Sequence, residues 1–122
     1  MIFWRIAILN YSKNHADFYC LIGIIYQRAL EIEFKYEGLS YEREKDMNII
    51  YRDELIGTRR VDFFVENEIM VELKAIIVLE DVHLAQALNY LEAYNMKTGL
   101  LINFGSKSLS FKRLTNKKYK FS

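Results

Sequence analysis

"RRVDFFVENEIMVELKA", residues 59–75, decides how this chain folds, because it reads as two short strands around a tight turn. With Glu66, Asn67 and Glu68 as the loop, antiparallel pairing sets Phe64 opposite Met70, Asp62 opposite Glu72 and Arg60 opposite Lys74. Alternation then groups Val61, Phe63 and Val65 with Ile69, Val71, Leu73 and Ala75, an unbroken apolar surface that fixes the register against a core. Asp62, Glu72 and Lys74 fall together on the other face.

Half-buried hairpins routinely turn charge toward water, so a wet face is the plain reading of that grouping. Two carboxylates placed opposite each other nevertheless repel, at a cost in stability unless a cation or a proton lies between them. A hard divalent ion removes the cost. Mg²⁺ accepts oxygen ligands from one or two carboxylates and keeps several waters, which suits Asp62, Glu72 and the carbonyl of Leu73. Water on such an ion is a better nucleophile, and the ion also takes up charge on a phosphoryl oxygen. Lys74 shares the face of Glu72, where its ammonium can orient that water or stabilise a pentavalent transition state.

Outward from the hairpin, apolar residues Phe18, Ile22, Ile25, Ala29, Ile32 and Tyr36 recur at steps of three and four, predicting an amphipathic helix from about residue 17 to 37 that Gly38 stops. Partial alternation from Leu39 to Tyr51 predicts a strand, and "RDELIG", residues 52–57, reads as a turn. After the hairpin, Val82, Ala85, Leu88 and Leu91 have helical spacing within residues 79–95, with Glu80 and Asp81 favouring the positive end of the helix dipole. "KTGLLINFG", residues 97–105, suits a strand buried on both faces, and "SLSFKRL", residues 108–114, a more exposed last strand. The expected order is helix, three strands, helix, two strands: an α/β domain, single at 122 residues.

Composition narrows the classes. At 52% hydrophobic and 27% charged, the chain is a folded globular protein. Its single cysteine, Cys20, closes no intrachain disulfide, no Cys/His spacing resembles a zinc site, and a reduced cytoplasm is the simplest expectation. The apolar run "FYCLIGIIY" is too short to span a bilayer, and "MIFWRIAILNYSKN" lacks the features of a signal peptide, so no membrane is expected. Charge is uneven: residues 1–92 carry ten Lys/Arg against sixteen Asp/Glu, whereas residues 93–122 carry seven Lys/Arg and no acid. Lys107, Lys112, Arg113, Lys117 and Lys118, interleaved with Phe111, Tyr119 and Phe121, are candidates for contacting nucleic-acid phosphates and bases. An edge strand and tail kept soluble by lysine is the competing reading.

A resemblance adds to this. "VDF", "VELKA" and "QALNYL" together resemble the Asp…Glu-x-Lys…Gln-x-x-x-Tyr series of the PD-(D/E)XK nuclease superfamily. The wider frame, "YRDELIGTRRVDFFVENEIMVELKA…HLAQALNYLEAYNMKTGLLINFG", resembles the small bacterial proteins of the GxxExxY family over roughly residues 24–114. The resemblance implies a restriction-endonuclease-like core, with a mixed central sheet of about five strands flanked by helices. It also implies Asp62 and Glu72 as ligands of Mg²⁺ or Mn²⁺, Lys74 as the catalytic lysine, and Gln86 and Tyr90 as an auxiliary pair. Gln86 and Tyr90, four residues apart, share one helical face, where a buried polar pair is an equally open reading. His83 suits a surface or capping role. One departure stands out: aligning Tyr26 to the tyrosine of the family's name motif puts Gly23 where the glutamate belongs and Cys20 where the glycine belongs.

Three functions follow as expectations. One is a metal-dependent nuclease acting on nucleic acid, with DNA placed ahead of RNA. Another is a catalytically impaired nucleic-acid-binding or regulatory module, favoured by Gly23 and the basic C-terminal segment. The last is an interaction domain, a homodimer or one bound to a partner protein, in which Phe3, Trp4 and Tyr11 form a contact patch unless they pack on the core.

Overall fold

The computed structural model describes residues 19–107 and 109–121, with side chains of the first helix from residue 24 onward. Phe3, Trp4, Tyr11, Phe18, the side chains of Cys20 and Ile22, and the surroundings of Gly23 therefore lie outside what is described. The elements are α1 (Tyr19–Tyr36), β1 (Tyr41–Tyr51), β2 (Glu54–Val65), β3 (Ile69–Lys74), α2 (Asp81–Ala93), β4 (Thr98–Asn103) and β5 (Ser110–Thr115). This is the expected order, and the strands form one five-stranded sheet in the order β1-β2-β3-β4-β5. All neighbours are antiparallel except β3 and β4, which run parallel. Parallel neighbours need a crossover, and α2 supplies it. No helix among the described residues is long and apolar enough to cross a membrane.

Local chemistry accounts for the boundaries. Gly38 ends the α1 exit with φ +71, a left-handed value that costs glycine nothing. Glu66 and Asn67 both take positive φ, and the Glu68 N–H donates to the Val65 carbonyl at 3.0 Å, so the predicted 66–68 loop holds. The "RDELIG" turn is shorter than expected: only Arg52 and Asp53 turn, both at positive φ, and Glu54–Gly57 already belong to β2. A two-residue turn of this hand matches strand twist, so the ribbon closes there.

Each sheet face carries its own core. Under α1, Leu30 and Phe34 pack on Phe63, Val65, Val71, Leu100 and Ile102, with Phe63 edge-on to Phe34 at 5.1 Å. Under α2, Leu91 and Met96 pack on Met70 and Val61, bordered by Phe64, Leu88, Tyr90 and Tyr94. The face bearing the acids is thus covered rather than open to water.

Three expectations need correction. In α1 the buried positions are Tyr26, Gln27, Leu30 and Phe34, whereas Ile25, Ile32 and Tyr36 of the predicted stripe are exposed. Apolar residues fill a broad arc of the helix, so periodicity offers two stripes within it and tertiary packing selects the other. In α2, Ala87 and Leu91 are buried, while Val82 and Ala85 face outward.

The third correction concerns β2. The register is as predicted, with Phe64 opposite Met70, but the β2–β3 ladder stops at Phe63/Val71. Between Tyr41 and Ile49, the β1–β2 ladder omits the single rung Glu44/Asp62, where Glu44 takes φ +53. Both strands reverse face at this rung. Beyond it Tyr41 and Phe63 lie under α1; before it Met47 and Val61 lie under α2. Val61 therefore does not share the face of Phe63. Arg60 does not face Lys74 either, because it points outward to Asp46 at 3.1 Å.

Candidate active site

The reversal places Asp62 where the sheet opens. Past the last β2–β3 rung the Leu73 N–H has no carbonyl opposite it in the ladder, and the Asp62 Oδ2 accepts its hydrogen bond at 2.7 Å. A side chain thus replaces a backbone acceptor, holding the two strands together while turning the Asp62 backbone out of step. Burial pushes the Asp62 carboxyl up, opposed by hydrogen bonding from the Leu73 N–H and from the Glu72 carboxyl and by the charges of Arg59 and Lys74.

Glu72 follows from the same geometry. It sits one residue past the ladder on β3, only 5% exposed. Its Oε2 lies 3.4 Å from Arg59 Nη2, and its buried Oε1 has no hydrogen-bond partner. Burial first, and the charge of Asp62 second, push its carboxyl up to about 7, against the pull of Arg59 and Lys74. The sequence places these two acids together, and the structure does so as well: each shifts the titration of the other. Lys74 is half-buried and lowers both, without a direct ion pair among the described residues.

Behind Lys74 the chain is clamped. The Lys74 carbonyl accepts the Phe104 N–H at 2.8 Å. Asn103, fully buried, accepts the N–H groups of Ile76 and Gly105 at 3.0 Å each and donates to the Ile76 carbonyl at 2.8 Å. Gly105 is required by close approach: a Cβ there would lie 2.4 Å from the Ile76 nitrogen. The loop leaving Lys74 is thereby fixed to β4.

From α2, Gln86 donates to the Tyr90 hydroxyl at 3.3 Å, so the pair does share a helical face, but Gln86 is exposed and not a buried polar partner of backbone. Tyr90 reaches the acids through Arg59, whose guanidinium lies 4.0 Å from the Tyr90 ring centre. His83 caps α2, its Nδ1 accepting the Glu80 N–H at 3.0 Å.

The basic residues of the C-terminal quarter do not gather on one surface. Register carries Glu72 across Leu101 to Lys112, so Lys112 lies on the face of Glu72, two strands away. Arg113, opposite Leu100, points to the α1 face. Lys107 lies in the β4–β5 loop, at the Lys74 end of the sheet. Lys117 and Lys118 lie beyond β5 at the other end, where Lys118 pairs with Glu92 of α2 at 3.6 Å.

Sequence reasoning missed Arg59, Tyr94 and Asn103. Arg59 stands in the opening stretch, three residues before Asp62, but uninterrupted alternation assigns it to the core face. Asn103 in "LLINFG" had a usable signal: a lone amide in a strand buried on both faces must find partners.

Comparison with known proteins bears on the fold and the superfamily. A profile of the PD-(D/E)XK nuclease superfamily matches residues 18–114, and the chain belongs to that superfamily. Among solved structures, the crystal structure of SSO0001 is similar with a TM-score of 0.59 and 18% sequence identity, over 80% of this chain and 51% of that one. The likeness is one of fold, and this chain spans about half the length of that relative. No curated protein matches by sequence.

Proposed function

We propose that the protein is a metal-dependent nuclease of GxxExxY type that hydrolyses phosphodiester bonds in nucleic acid, DNA ahead of RNA, in a reducing cytoplasm. The observation that carries this reading is the juxtaposition of Asp62 and Glu72 at the opened rung, with a buried Glu72 oxygen left without a partner. Membership of the nuclease superfamily supports it.

The donor set fits Mg²⁺ or Mn²⁺. Among the described residues no three His, Cys, Asp or Glu side chains converge, which leaves Asp62 and Glu72 as the acidic pair. One or two carboxylates with several waters is the usual Mg²⁺ complement. Leu73 adds a third oxygen, since N–H and C=O of one strand residue point to the same side and the Leu73 N–H faces β2 beyond the end of the ladder. Bound there, the cation supplies Lewis acidity and a more acidic water. Asp62 and Glu72 would hold it, Lys74 would orient the attacking water and meet charge on the phosphate, and Gln86 with Tyr90 would border the substrate side.

A second reading, a nucleic-acid-binding module without catalysis, is favoured by Gly23 standing where the family motif carries glutamate. One experiment separates the two: incubation with single- and double-stranded DNA and RNA in Mg²⁺ or Mn²⁺, comparing wild type with Asp62→Ala and Lys74→Ala. Cleavage by wild type alone supports the nuclease. Equal cleavage by all three indicates a contaminant and ends that reading, and binding that ignores EDTA but falls steeply with salt supports the module.

A further inference from the structure

Among the described residues, three buried side-chain atoms lack a hydrogen-bond partner: Arg59 Nε, Glu72 Oε1 and the Tyr94 hydroxyl. All three belong to one cluster. Arg59 touches Glu72, lies over the Tyr90 ring, and Tyr90 stacks with Tyr94 at 6.5 Å between ring centres. Buried polar atoms are normally satisfied, so a group of orphans calls for an explanation, such as a water, an ion or a ligand that completes them.

Arg59 is the unusual member. Its single contact with Glu72, at 3.4 Å, is long for a charge-assisted hydrogen bond, which falls at about 2.7–2.9 Å, and it is not the two-pronged fork that arginine forms with carboxylates. The Arg59 side chain is 30% exposed against 6% for Glu72, so the arginine links the buried acid to the surface. Its guanidinium makes one long contact with the acid, lies on an aromatic face, and is shaped to grip phosphate.

We propose that Arg59 is a phosphate-contacting residue held over Glu72 in the resting protein, and that it passes to a nucleic-acid phosphate when Glu72 engages a divalent cation. This rests on the nuclease reading of the site. The physical basis is competition: a guanidinium and a dication cannot both lie against one carboxylate without repelling each other. Released from Glu72, Arg59 needs only to swing about its stem, with Tyr90 as the surface it slides on.

The test compares wild type, Arg59→Gln and Arg59→Lys, each confirmed as folded by thermal unfolding. Mn²⁺ is titrated by calorimetry, and a labelled duplex DNA oligonucleotide is titrated in Ca²⁺ and in EDTA across a salt series. Arg59→Gln should bind Mn²⁺ at least fivefold more tightly than wild type and lose at least tenfold in DNA affinity in Ca²⁺. Its salt slope should drop by about one in Ca²⁺ and stay unchanged in EDTA, since one phosphate contact is lost. Arg59→Lys, keeping charge without the fork, should fall between, and it carries the test if Arg59→Gln fails to fold. Unchanged or weaker Mn²⁺ binding by the variants, beside normal binding by wild type, overturns the role of Arg59 alone, as does undiminished DNA binding in Ca²⁺. Absence of Mn²⁺ binding in all three proteins removes the metal site itself, and this inference with it.

Discussion

The two faces of the sheet are built to different standards. Under α1, Phe63 meets Phe34 and Tyr41 edge to face within an apolar cluster, and Gln27 is the one buried polar side chain of the helix among the described residues. Under α2, the apolar residues Met70 and Leu91 share their layer with Arg59, Glu72 and Tyr94, each carrying a buried atom without a partner. The first face follows the rule that interiors are close-packed and satisfied. The second departs from it at the residues that the nuclease reading needs, so stability and chemistry are divided between the two sides of one sheet.

Substitutions on the two faces should separate these roles. The largest effect belongs to Asp62→Ala, which should lower cleavage by about 10³-fold or more, equivalent to roughly 4 kcal/mol, with Asp62→Asn, which keeps an oxygen for the Leu73 N–H, separating lost chemistry from a loosened strand pair by circular dichroism. On the α1 face the converse holds: Phe34→Ala should cost about 3–5 kcal/mol in urea unfolding through the cavity it leaves. If Phe34→Ala were mild, the division between the faces would be wrong.

The next effect depends on pH. In the metal-free protein Glu72 holds its proton up to about 7, against an ordinary value of 4.5 in the unfolded chain. The folded state then binds the extra proton between those values, and stability falls as pH rises across that window. The drop is of order 3 kcal/mol. Asp62 is pushed in the same direction. Glu72→Gln should remove most of the slope and be the more stable protein at pH 8, measured by urea unfolding at pH 5 and pH 8. Smaller again is Asn103→Ala, expected to cost about 2 kcal/mol by stranding the polar groups of Ile76 and Gly105. Faster amide exchange at those two residues checks it. Last comes Tyr36→Ala at the exposed end of α1, which should stay within about 0.5 kcal/mol of wild type.

Much of this arrangement was legible beforehand where local chemistry decides. Gly38 stops α1, the 66–68 loop sets the hairpin register, and the apolar run 98–103 is buried on both faces. Glu72 and Lys74 share a face of β3 by alternation, but Asp62 reaches Glu72 past the end of the β2–β3 ladder, where its side chain takes the Leu73 N–H. What stayed hidden depends on contacts distant in sequence. The buried stripe of α1 could not be chosen from a helix that carries Ile25, Tyr26, Leu30, Ile32 and Phe34 on several sides. The placement of Val61, Arg59 and Arg60 required knowing that Asp62 would take the Leu73 N–H and break the alternation.

The missing Glu44/Asp62 rung has one more consequence. Because both strands of the ribbon turn over at the same level, the twist is shared, and neither strand can be lengthened by itself without putting its outer half upside down relative to its partner. Insertions near residues 44 or 62 should be tolerated only in matched pairs, whereas the ribbon tip around Arg52 and Asp53 can be trimmed or extended two residues at a time without disturbing the acids below.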